Sequence, residues 1–135
     1  MATVLDPFDN DGAADLLDEL RESSPGSSGE ILEQALQVTV EVGASEYLEK
    51  DFAEAAVAAA ALVAAIRNGD REMLGRRRLS GVEFVSVEHL VDSALVALDR
   101  VAAEGSELLE LGEDEGEEDS IVEGLGRIAS ALRDS

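Results

Sequence analysis

The sequence of 135 residues contains no cysteine, no tryptophan and a single histidine. The absence of cysteine excludes disulfide bonds, thiolate metal sites and a cysteine nucleophile. Aromatic residues make up only 3% of the chain, so its core has to be built from aliphatic side chains and alanine. The first residues show neither the basic nor the apolar region of a secretory signal, and we therefore expect a cytoplasmic protein.

Basic residues are also scarce, because 10 lysines and arginines stand against 31 acidic residues and leave a formal net charge of −21. Such a field repels nucleic acid and anionic membranes, and it steers association with basic partners. We therefore expect no nucleic-acid binding and no membrane binding. The charge indicates either a soluble acidic protein adapted to salt or a protein that binds a basic partner.

The longest apolar run is residues 55–66, twelve residues of which eight are alanine. It is too short to span a membrane, which takes ~20 apolar residues. Apolar side chains on every face are typical of a helix surrounded by other helices. The run therefore predicts a buried central helix over residues 47–68. The side chains expected to fill the gaps to neighbouring helices are Phe52, Leu62, Val63 and Ile66.

Helix caps and the 3.6-residue period predict further helices on both sides of this one. The predicted elements are a helix over residues 10–22 capped by Asp9 or Asn10, a helix over 27–42, a loop over 71–85 with a short helical turn as the alternative, a helix over 86–103 capped by Ser86, a short helix over 106–111, an acidic loop over 112–119 and a last helix from 119 or 120. The expected fold is therefore all-α. We expect residues 1–135 to form one domain, a bundle of five or six helices around the alanine-rich central helix.

The second predicted helix begins with a capping box, in which Ser27 is the cap and Glu30 follows three residues later. The β-branched residues 38–40 favour a strand locally, but the length of the segment and the preceding cap favour a helix. Its predicted buried stripe is Ile31, Ala35, Val38 and Val42, with Leu32 and Leu36 alongside.

Residues 7–11 read Pro-Phe-Asp-Asn-Asp and are followed at 14–17 by Ala-Asp-Leu-Leu, while residues 106–111 read Ser-Glu-Leu-Leu-Glu-Leu after the helical stretch 94–101. These stretches resemble the DUF4259 domain, a family of uncharacterised bacterial proteins. The family usually opens with a Gly-Thr-Trp-Gly-like stretch and often carries tryptophans near its C-terminus, and this chain has neither. The resemblance implies the helical architecture and a bacterial source, and it implies no activity.

The N-terminal carboxylates Asp9, Asp11 and Asp15 are candidate ligands for a cation. An EF-hand frame with Gly12 at its glycine position puts Pro7 at the first ligand position and Asp18 at the last, so that motif is absent. Capping and compensation of the helix macrodipole explain the same residues without a metal. We expect no metal and no cofactor, and an ion-binding protein or an enzyme using this cluster is the alternative.

Catalytic motifs are missing from the sequence. The single histidine, His89, has no second ligand at helical spacing. No serine lies in a Gly-x-Ser-x-Gly turn, and the glycines near the C-terminus lie among acids that would repel a phosphate. We therefore favour a protein without catalytic activity.

Arg76, Arg77 and Arg78 interrupt the acidic pattern, and half of the ten basic residues lie within residues 67–78. This run can pair with acidic segments of the same chain or of a second copy, it can recognise a partner, or it can direct phosphorylation of Ser80. The abundance of carboxylates favours pairing.

From the sequence alone, the leading hypothesis is an acidic protein-binding module. Its specific form is an immunity-like or inhibitor-like protein that acts on a basic partner. The sequence does not indicate an oligomeric state.

Overall fold

The alanine-rich segment forms the longest helix of the computed structural model, which describes residues 8, 10–23, 27–42, 46–79, 87–103 and 105–133. Within these residues the chain is an all-α bundle, as predicted. A turn of 3₁₀ helix spans Glu88–Leu90. The α-helices are α1 (Asp11–Arg21), α2 (Ser28–Val40), α3 (Lys50–Asn68), α4 (Arg71–Arg76), α5 (Val91–Val101), α6 (Glu107–Glu115) and α7 (Glu118–Arg133). Among the helices of those residues, none is both long and apolar enough to cross a membrane.

Helix α3 lies at the centre of the bundle, with α1, α2, α5 and α7 packed around it. Every residue from 56 to 65 is buried, because the alanine side chains let the neighbouring helices approach closely. The helix ends at Gly69, whose φ of 67° lies in the left-handed region that glycine tolerates best. The prediction of a buried, alanine-rich central helix is confirmed.

We expect Ala59→Leu to lower the free energy of unfolding by about 2 kcal/mol, because Ala59 is fully buried and added methyl groups must displace a neighbouring helix. Ala55→Leu is the matched control, since Ala55 is half-buried on the same helix. Thermal or urea unfolding of both variants measures the difference. Equal stability of Ala59→Leu and the wild type would contradict the close packing of α3.

The buried face of α2 differs from the prediction. Leu32, Leu36 and Thr39 are fully buried, while Ile31, Ala35 and Val38 are only half-buried. The face of α2 that carries these three residues is therefore the one turned to the bundle, where α2 contacts α3 and α5. The helix itself is confirmed, but Ser27 makes no side-chain capping bond, so the predicted capping box does not form.

Helix α3 begins at Lys50, three residues later than predicted, because Leu48 pairs with Ser106 in a parallel β-bridge. Phe52 was predicted to fill a gap in the core, and this is wrong: 47% of it is exposed.

The acidic segment 112–119 was predicted to be a loop and is mostly helical. α6 continues to Glu115, Gly116 makes the turn with a φ of 74°, and α7 begins at Glu118. The two helices are held together because the buried Gly112 on α6 meets Ile121 on α7. Apolar contact therefore orders a segment whose charge indicates a solvated loop.

The predicted loop over 71–85 contains the short helix α4, in agreement with the short helical turn that was expected as an alternative there. Its residues 80–85 lie outside the described part of the chain. The predicted caps Asp9 and Ser86 lie outside it as well.

Candidate functional site

The N-terminal signature is the Pro-Phe-Asp-Asn-Asp stretch of residues 7–11. At its described positions, the side chains stabilise the fold. Phe8 is buried, with 9% of it exposed, and the guanidinium of Arg77 lies 4.6 Å from the centre of its ring. Asn10 caps α1, since its Oδ1 accepts a hydrogen bond from the backbone N–H of Ala13 at 2.7 Å. Two residues of this signature are therefore explained by packing and capping.

The candidate cation ligands do not converge within the described residues. Asp11 and Asp15 are exposed on α1, and Asp9 lies outside the described residues. In the part of the chain that is described, no group of three or more histidine, aspartate or glutamate side chains is arranged to hold a metal ion. An ion site at this cluster gains no support from the geometry.

A carboxylate that the sequence did not single out lies beneath the start of α1. Glu54 is only 3% exposed, and its Oε1 accepts a hydrogen bond from the backbone N–H of Gly12 at 3.3 Å. Its Oε2 lies 3.4 Å from Nζ of Lys50, and this pairing raises the pKa of Lys50 above its ordinary value. Glu54 thus stabilises the positive end of α1 from a neighbouring helix.

Gly12 brings α1 unusually close to α3. A Cβ atom at this position would lie 2.5 Å from the carbonyl oxygen of Asp51 and 2.8 Å from Cβ of Glu54. Only glycine fits such an approach without a shift of the helix. A glycine inside a helical pattern is the signal that could have indicated this contact from the sequence.

A groove of about 270 Å³ lies beside this contact, between α1, α2 and α3. α1 and α2 both pack extensively on α3 and touch each other little, so a channel stays open between them. Along α2 the lining is apolar except for Gln34, and α1 contributes the carboxylates of Asp15 and Glu19 beside Leu16 and Gly12. The apolar lining includes Leu16, Ile31, Ala35, Val38, Phe52 and Ala55.

Three carboxylates form the rim of the groove. Asp15 and Glu19 lie one turn apart on α1, and Asp51 lies on α3. All three are exposed, and the described lining includes no basic residue. The groove therefore combines an apolar floor with a negatively charged rim.

The arginine run is tied to the fold at one of its three positions. Arg77 is half-buried against Phe8, and Arg21 donates two hydrogen bonds to the carbonyl of Arg77, at 2.7 and 3.2 Å. Arg76 pairs with Glu72 one turn earlier on α4, and Arg78 is exposed with a φ of 60°. Among the described residues, Arg76 and Arg78 form no ion pair with the acidic segment of α6 and α7. Ser80 lies outside them.

The segment before α3 is joined to the start of α6. The N–H of Leu48 donates to the carbonyl of Gly105 at 2.7 Å, and the N–H of Glu107 donates to the carbonyl of Leu48 at 2.9 Å. The Glu107 carboxylate also accepts a hydrogen bond from the first N–H of α3, that of Lys50, at 2.8 Å. Both α1 and α3 thus receive a carboxylate from a distant helix at their positive ends.

Tyr47 lies next to this bridge and donates a hydrogen bond to Glu110 at 2.7 Å. That bond raises the pKa of Tyr47 to about 12, because ionisation would break it and place two negative charges together. His89 is exposed next to Glu88, whose carboxylate pairs with Arg67. The described residues around His89 and Tyr47 do not form an arrangement typical of acid–base catalysis.

Comparison with protein families gives a match. The model of a family described as "Domain of unknown function (DUF4259)" matches residues 2–123. No curated protein and no solved structure matches the chain.

Proposed function

This chain belongs to the DUF4259 family, whose description assigns no activity, and we propose that it is a non-catalytic, acidic protein-binding module of a bacterial cytoplasm. Its partner is a basic protein, which the chain inhibits or accompanies in the manner of an immunity protein. The support is electrostatic, because a net charge of −21 attracts a basic surface and speeds its encounter.

The main support for this proposal is that five of the arginines are bound within the fold and leave the acidic segment 113–119 without cationic partners among the described residues. Arg21, Arg67 and Arg100 each donate hydrogen bonds to backbone carbonyls and thereby hold separate segments of the bundle together. Arg76 and Arg127 pair with glutamates on their own helices. Among the described residues, the carboxylates of 113–119 take part in no ion pair, so their charge is available to a partner.

The placement of three of these carboxylates adds to the argument. Glu113, Asp114 and Glu115 lie in the last turn of α6, where the helix macrodipole is negative, and that turn contains no basic residue. Negative charge at the negative, C-terminal end of a helix is unfavourable. A basic partner would relieve the repulsion on binding.

The exposed Arg76 and Arg78 provide a second, smaller contact, at which they bind carboxylates of the same partner. Arg77, the third candidate recognition residue, is half-buried against Phe8 and supports the loop that presents them.

Capture from a lysate of the source organism on the immobilised chain should yield basic proteins that elute as salt rises from about 0.05 to 0.5 M, because the Debye length falls over this range. The association rate of the purified partner should fall over the same range. Capture of acidic proteins alone, or an association rate that does not depend on salt, would contradict the proposal.

A matched pair of variants locates the contact. Asp114→Asn with Glu115→Gln removes two charges from the end of α6, and Asp92→Asn with Asp99→Asn removes two exposed charges from α5. The first double variant should slow association more than the second. Equal effects would leave only the total charge as the source of attraction.

A further inference from the structure

We propose that the groove between α1, α2 and α3 is the docking site for an amphipathic, basic α-helix of the partner. This inference rests on the proposed function and adds to it the type of element that the partner presents. Its apolar residues would lie on the floor of the groove, and its lysines and arginines would face the acidic rim.

Helix α2 carries two adjacent apolar stripes. Leu32 and Leu36 pack into the bundle, while Ile31, Ala35 and Val38 form a second stripe at spacings of four and three residues. This second stripe is half-buried and lies along the groove. Neighbouring helices of the chain cover the first stripe fully and the second only in part.

Phe52 extends this apolar surface onto α3. It is 47% exposed, and it is one of only three phenylalanines in the chain. A large, partly exposed aromatic side chain beside an apolar groove is typical of a residue that anchors a protein interface.

The rim indicates the charge of the occupant. Asp15 and Glu19 follow one wall, and Asp51 lies on α3. A helix that lays its apolar face into a hydrophobic groove is a common mode of recognition, and it requires polar residues on the flanks of that face. Because the rim of this groove is acidic, the flanks of the docked helix carry lysine or arginine.

The same charges argue against a second copy of this chain as the occupant. Each copy carries a net charge of −21 and an acidic rim, so two copies repel each other at this surface. The partly exposed cations nearest to the groove in the sequence, Arg21 and Lys50, are paired with Asp18 and Glu54 and are not among the residues that line it. The arginine run lies on and directly after α4. A basic partner therefore fits the surface better than self-association.

The test uses the whole chain and two synthetic, fluorescently labelled peptides of identical composition. One peptide places leucines at positions i, i+3, i+4 and i+7 with lysines elsewhere, and the other has the same residues in scrambled order. Fluorescence anisotropy at about 0.1 M salt, where the Debye length is about 10 Å, measures both affinities. We expect the amphipathic peptide to bind one to one, at least roughly tenfold more tightly than the scrambled peptide.

Two variants with the same charge change locate the site. Ala35→Arg places a long cation in the groove, and Val96→Arg places one at a residue that is 50% exposed on α5. Ala35→Arg should weaken binding of the amphipathic peptide roughly tenfold or more, and Val96→Arg less than about threefold. Phe52→Ser provides a second test that does not depend on the folding of Ala35→Arg, because Phe52 is already half exposed, and it should also weaken binding several-fold. Circular dichroism confirms that each variant is folded.

Equal binding of the two peptides would overturn the groove as a docking site. The same conclusion would follow if Ala35→Arg and Val96→Arg had equal effects and Phe52→Ser had none. The proposed function would still stand if basic proteins are captured from the lysate in a salt-dependent way. If no basic protein is captured from the lysate, the proposed function itself is contradicted.

Discussion

Gly12→Ala is expected to lower the free energy of unfolding by about 3 kcal/mol, at the upper end of the usual cost of overpacking. The new Cβ would lie 2.5 Å from the Asp51 carbonyl oxygen and 3.2 Å from the Ala55 nitrogen. Both atoms belong to the backbone of α3, so no side-chain rotation can relieve the clash and α1 has to move. Urea unfolding monitored by circular dichroism measures the loss.

Gly126→Ala is the control for this prediction. Gly126 lies within α7, and no atom of another part of the chain lies within 4 Å of the position of its Cβ. Alanine should therefore stabilise the helix there by roughly 0.5–1 kcal/mol. If Gly12→Ala is as stable as the wild type, the close approach of α1 and α3 does not exist in solution.

The second large effect is expected for Glu54→Ala, again about 3 kcal/mol. The substitution leaves the N–H of Gly12 buried without its acceptor, removes a negative charge from the positive end of α1 and opens a space beside α3. Lys50 adds little to the loss, because its side chain is 38% exposed and can turn to water. Thermal unfolding at neutral pH measures the effect.

Two further variants separate the causes. Glu54→Gln keeps an oxygen that can accept the hydrogen bond from Gly12 and should cost clearly less than Glu54→Ala. Glu123→Ala removes an exposed glutamate that pairs with Arg127 at 3.0 Å and should change stability by less than about 0.5 kcal/mol. A loss for Glu54→Ala no greater than that for Glu123→Ala would mean that Glu54 does not support α1.

Features that depend on neighbours in the sequence could be predicted. The cap at Asn10, the buried leucines of α1 and the central position of α3 all follow from local caps and apolar period. The stripe of α7, in which Ile121, Leu125 and Leu132 are buried, follows from the same period despite two glycines. The all-α fold is confirmed for this reason.

Features that depend on distant contacts could not be predicted. α2 has two adjacent apolar stripes, and its period alone does not decide which of them faces α3. Glu54 and Gly12 are far apart in the sequence, and one carboxylate among 31 acidic residues gives no local signal of burial. The groove was missed for the same reason, since it exists only because α1 and α2 diverge on the surface of α3.

The bridge between Leu48 and Ser106 has a consequence for the order of folding. It closes a long loop that contains α3, α4 and α5, and closing a long loop carries an entropic cost before any contact compensates for it. The contacts of α1 and α2 with α3 span shorter stretches of chain and can form earlier. The amide protons of Leu48 and Glu107, which form this bridge, therefore report by hydrogen exchange on the docking of α6, separately from the formation of the first three helices.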